Sequence, residues 1–119
     1  MLVFQTTQTL RVIHRSQADA LGLTDTCRGA VGEDWLCAGP DTGAAEVFEV
    51  RPLSSLEWAE VRGLDGADQS LAIVTKGLKG INGAMPNLAS DLSWGAIHAI
   101  AALVTAVTVG PLAPRQPAA

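Results

Sequence analysis

The side chain best suited by type to move a proton is His98, four positions after Trp94 in a long apolar segment. An imidazole titrates near neutrality and is the commonest general base. One helical turn from an aromatic ring, however, a lone histidine is more simply a packed or interfacial residue. The second imidazole, His14, follows a strand-like run among arginines and is expected to be exposed. Paired carboxylates are the next possibility. Glu57 and Glu60 stand three apart, on neighbouring positions of a helix, but helix capping accounts for the first and solvation for the second. Glu33, Asp34, Asp65 and Asp68 read as loop and first-turn charges.

Cys27 and Cys37 are ten positions apart, without C-x-x-C spacing, and both histidines lie far from them, so a metal set has little support. They are expected to be free, partly buried thiols in a reducing compartment, because "MLVFQTTQTL" has neither a positive start nor a long apolar run. Their spacing would let them meet if the intervening loop folds back. No G-x-S-x-G, H-E-x-x-H or calcium-loop pattern occurs, and "KGLKGING" lacks the lysine-serine/threonine end of a phosphate-binding loop. The expectation is a protein that is not an enzyme, with no catalytic residue, cofactor or metal.

The composition points the same way. With 119 residues, 48% of them apolar and 17% charged, the chain suits one globular domain with a sparsely charged surface. Its net charge is -4, and its eight Lys and Arg are scattered singly, which disfavours nucleic acid as a partner. Residues 1–110 are expected to form a single α+β domain, and 111–119 a proline-rich tail that cannot pack as a regular element.

Several elements follow from period and punctuation. "TLRVIHR" alternates as a strand, with Leu10 and Val12 on one side and Arg11, Ile13 and Arg15 on the other. "SQADALGL" suits a helical turn and "TDTCRGAVGED" a loop. "WLCAG", a "PDTG" turn and "AEVFEVR" predict a hairpin over residues 35–51, giving with residues 9–15 a small antiparallel sheet with one wet face. Pro52 closes the strand, and Ser54 with Glu57 forms the S-x-x-E capping box that opens a helix.

Three helices are expected in the second half. On the first, Leu56 and Ala59 point one way and Trp58 and Val61 another, and Trp58 could stack on Arg62. The second, over residues 67–79, carries a stripe of Ala67, Leu71, Val74, Leu78 and Ile81, with Ile73 opposite, and runs into an Asn82–Gly83 turn. The third spans 91–109 with Ser90 or Asp91 as its cap. Leu92, Ala96, Ile97, Ile100, Leu103, Val104 and Val107 share its broad face, and Trp94, His98 and Thr105 lie off it. Residues 92–109 carry no formal charge, yet the amphipathic split, the many alanines and the lack of flanking Lys or Arg argue against a membrane span. Trp58, Ile73 and Trp94 are thus left over once each helix has placed its core stripe, and with Arg62 and His98 they are the expected contact residues.

The run "FEVRPLSSLEWAEVRG...LAIVTKGLKGINGAMP...DLSWGAIHAIAALV" resembles small tail-associated or tail assembly proteins of tailed bacteriophages. The matching positions are Phe48, Arg51, Pro52, Leu53, Trp58, Gly77, Leu78, Gly80 and Gly83, over the last two-thirds of the chain. Three features depart from that pattern. Ser54 stands where threonine is usual, residues 16–44 form a longer glycine-rich excursion, and the helices carry few charges. The last two suit a subunit that ends up buried in a particle. The resemblance implies a structural or assembly protein that contacts other virion proteins or copies of itself, in the host cytoplasm and then in the virion. A transient assembly chaperone absent from the finished particle, and a small binding module with no viral role, are the alternatives.

Overall fold

The computed structural model describes residues 9–27 and 29–109; the proline-rich segment 111–119 lies outside them. In chain order the elements are β1 (Leu10–His14), α1 (Arg15–Leu21), a 3-10 turn (Thr24–Thr26), β2 (Gly29–Val31), β3 (Trp35–Cys37), β4 (Phe48–Val50), α2 (Ser55–Arg62), α3 (Gly66–Gly77), β5 (Leu78–Ile81) and α4 (Trp94–Val109). The strands make one antiparallel sheet in the order β2-β3-β1-β4-β5. The α+β class, with the sheet mainly in the first half and the helices mainly in the second, agrees with the sequence.

The expected hairpin over 35–51 does not form. β1 sits between the two strands, pairing Val12 with Cys37 on one side and with Phe48 on the other. The ten residues from Ala38 to Val47 are too many for a tight turn, and they cross one face of the sheet instead. That face is not wet. Ile13 and Leu36 are buried there with Ala18, Leu23, Ala45 and Val47, beneath α1 and the crossing loop. The expected loop over 24–34 also contains a 3-10 turn and β2, which pairs with β3.

The opposite face holds the larger core. Leu10, Val12, Trp35 and Val50 of the sheet meet Val61, Ile73, Val74, Ile97, Ile100, Leu103, Val104 and Val107 of the helices. Each such side chain, moved from water to the interior, contributes about 1.5–3 kcal/mol before chain entropy is counted. Trp35 anchors the sheet side, with Phe48 edge-on at a centroid distance of 5.2 Å.

The second expected helix stops early. Gly77 ends α3 and the backbone of Leu78 is extended (φ -81°, ψ 123°), so Leu78–Ile81 becomes the fifth strand instead of more helix. The buried stripe of α3 is also rotated from the expected one. Ile73, Val74 and Gly77 face inward, whereas Ala67 and Leu71 are exposed. Gly77 is the reason. A Cβ there would run into the Val104 side chain, so the missing side chain lets α4 come close and fixes which side of α3 it covers. A glycine read as turn punctuation is therefore a packing residue.

The joint between β4 and α2 forms as expected. Ser54 accepts the Glu57 N–H and the Glu57 carboxylate accepts the Ser54 N–H. Arg51 adds a two-pronged ion pair to Glu57, at 2.9 and 2.8 Å. The same stretch ties down both neighbouring helices: Arg51 N–H donates to the Gly77 carbonyl (2.9 Å) and Leu53 N–H to Thr108 Oγ1 (3.0 Å). α4 begins at Trp94, later than residue 91, with Ser93 Oγ accepting the Ala96 N–H. Most of its expected inner face holds, with Ile97, Ile100, Leu103, Val104 and Val107 buried, while Leu92 precedes the helix, Ala96 is half-buried and Ala101 joins the buried side. Among the described residues no helix is long and apolar enough to cross a membrane.

Candidate functional site

Of the five expected contact residues, the structure brings two together. Trp94 and His98 lie one turn apart on α4, their rings edge to face at 4.9 Å, with Trp94 46% exposed. Ser70 of α3 reaches across to His98, Oγ to Nδ1 at 3.0 Å. The next residue of α3, Leu71, is itself 40% exposed, and a shallow depression beside it is lined by Asp68, Ala72, Thr75 and Lys76. The outer side of the α3–α4 pair thus presents an indole and a leucine, with an imidazole–hydroxyl link between their helices.

The other three are placed differently. Ile73 is 4% exposed and belongs to the larger core, which removes it from any surface. Its position opposite the expected stripe followed from reading Leu71 as buried, and the rotation set by Gly77 reverses the two. Trp58 is half-buried against the larger core, as Val61 is fully, so the side of α2 that carries them faces inward. Arg62 is exposed at the end of α2, and the ring contacts among the described residues do not pair it with Trp58. Arg51, not Arg62, is the arginine that α2 engages.

Leu56 is the most exposed of the large apolar residues that the pattern missed, among them Leu71 and Met85. It is 71% exposed in the first turn of α2, and with Leu64 (40%) it extends the apolar exposure of the helical side. The signal was present, since Leu56 falls opposite Trp58 and Val61, but the inward side of a weakly patterned helix becomes clear only once the sheet is in place.

Two titratable sites have definite structural causes. Glu57 is held at about 2, first by the Arg51 guanidinium and then by the Ser54 N–H. The Cys37 thiol is pushed up by burial and, to a lesser degree, by Cys27. Both cysteines are free and partly buried, as expected, but Cys27 packs with the smaller core and Cys37 with the larger one. His14 is not simply exposed: it lies edge-on to Trp35 at 5.0 Å, and its Nδ1 accepts the Ser16 N–H to cap α1.

Chemically, Ser70–His98 has the form of a nucleophile–base pair. A triad would need a third group to orient the imidazole, and the hydrogen bonds of the described residues give His98 no second partner. Among those residues no group of three or more His, Cys, Asp or Glu is arranged to hold a metal ion. A polar recess elsewhere is lined by Arg11, Thr42, Val47, Glu49, Asn82 and Gly83. Comparison of the chain with protein-family models, with curated proteins and with solved structures finds no match.

Proposed function

We propose that this chain is a non-enzymatic structural or assembly protein that acts through protein–protein contact, as a component of a tailed-bacteriophage virion. The observation that carries the contact reading is Trp94. Nearly half of a tryptophan stands in water on a helix whose inner face is already satisfied, beside a second helix that exposes Leu71. Large apolar side chains outside the core are the usual anchors of an interface, and tryptophan is the most enriched among them. The virion assignment rests on the resemblance of residues 48–63, 71–86 and 91–104 to small tail proteins, and the sparse charge of the helices agrees with a subunit that becomes enclosed.

Two measurements test the reading at its two levels. Native mass spectrometry of the purified chain, alone and with co-expressed tailed-phage virion proteins, should show a complex that Trp94→Ser weakens at least tenfold. A monomer under every condition would favour the small binding module. Mass spectrometry of purified particles should then find the chain as a stoichiometric component; its presence in assembly extracts but not in particles would identify a chaperone instead.

A further inference from the structure

We propose that Asn82–Gly83 is a site of spontaneous covalent modification, where the asparagine side chain cyclises onto the glycine nitrogen and reopens as aspartate or isoaspartate. The turn supplies several conditions that favour that reaction. Gly83 has no side chain to shield its nitrogen, and a Cβ built there would meet nothing within 4 Å. Both residues are exposed, and no hydrogen bond among the described residues uses the Gly83 N–H. Asn82 Oδ1 accepts the Val47 N–H at 2.9 Å. That donor polarises the side-chain carbonyl and stands ready to stabilise negative charge on Oδ1 in the tetrahedral intermediate. The amide nitrogen that must leave has no partner among the described residues.

The reaction balances with water alone. A solvent base removes the Gly83 proton, the nitrogen attacks Asn82 Cγ, and the former amide nitrogen departs as ammonia, leaving a five-membered imide. Water then adds to one imide carbonyl and breaks one of its two C–N bonds. The side chain emerges as a carboxylate, lowering the formal net charge of -4 by one.

The two products differ in consequence. Asn82 adopts a left-handed conformation (φ 52°), so its main-chain carbonyl leaves the β4–β5 ladder and its side chain takes over as acceptor for Val47. Its own N–H completes the pair by donating to the Val47 carbonyl at 2.8 Å. Aspartate keeps an oxygen in that place. Isoaspartate routes the main chain through Cβ, adding a backbone atom inside a two-residue turn whose ends, Ile81 and Ala84, bond each other in both directions. The former Oδ1 becomes the main-chain carbonyl oxygen of the lengthened link to Gly83 and is drawn away from Val47, loosening the fastening of the crossing loop over the smaller core.

Asn87 is a built-in control. It precedes Leu88, whose side chain shields the nitrogen that Gly83 leaves open, although its Oδ1 also accepts backbone N–H bonds, from Ala89 and Ser90. The test is to incubate the folded full chain at mildly alkaline pH and body temperature for days, locating amide-to-acid conversion by tandem mass spectrometry. Conversion is expected at Asn82 at least several-fold faster than at Asn87, and Asn82→Gln should abolish it there because the ring would need six members. Hydrogen exchange of the Val47 amide should quicken in the isoaspartate fraction and not in Asn82→Asp. An Asn82 that stays intact in the folded chain, while the urea-unfolded chain converts it over the same period, would overturn the proposal.

Discussion

The two faces of the sheet are built on different plans. Among the described residues, sixteen buried side chains on one face join β-strands to α2, α3 and α4, and six on the other lie beneath or within a seven-residue helix and an irregular loop. The helical side is also cross-tied by the Arg51–Glu57 pair, the Gly77 carbonyl and Thr108. The thin side has fastenings of its own, among them the cap from His14, the Gln17–Glu46 bond that ties α1 to the crossing loop and the Asn82–Val47 exchange, but far fewer buried apolar side chains. The lesson is one of division of labour. A well-braced helical layer can leave Trp94 and Leu71 in water without loss of order, while the thinly covered side has little stability to spare.

The largest expected effect separates the faces directly. Ile100→Ala, at 1% exposure among helices that cannot close the gap, should cost about 4 kcal/mol, and Ile13→Ala, under a cover that can sag inward, about 2 kcal/mol. Equal losses in urea denaturation would show that the two sides are equally rigid. Gly77→Ala should cost about 1–3 kcal/mol by forcing α3 and α4 apart at Val104. A pairing with Val104→Ala should recover part of that loss, and failure to do so would place the strain elsewhere.

The joint gives a smaller, pH-dependent effect. Glu57 titrates at about 2 in the folded chain and about 4.3 when unfolded, so its contribution is complete above that upper value and disappears as pH falls toward the lower one. Glu57→Gln should cost about 1–2 kcal/mol at neutral pH and nothing further in acid, where stability of the parent falls to meet it. Parallel pH profiles for the two proteins would contradict the ion pair. The smallest effect belongs to the exposed surface: Trp94→Ser should change stability by no more than about 0.5 kcal/mol while weakening association. A large loss of stability would mean that the indole serves the fold rather than a partner.

Much of the helical half was legible because its signals are local. Ser54 and Glu57 meet within one turn, Pro52 ends a strand by lacking a donor, and the apolar face of α4 repeats at helical spacing. Trp94 and His98 likewise followed from their places on that helix, and the structure adds the Ser70 link that spacing along one helix cannot show. Ile73 was misplaced because the inward side of α3 depends on where α4 approaches.

By itself, then, the sequence determined the α+β class, the strand-to-helix joint and the orientation of α4, all of which depend on composition or on residues a few positions apart. Tertiary structure alone decided that β1 lies between β3 and β4, that Leu78–Ile81 joins the sheet, and that a second core lies on the face expected to be wet. Strand order and helix approach are contests between distant segments for the same partner. Their outcome depends on the fit of the whole molecule, which no short window of residues contains.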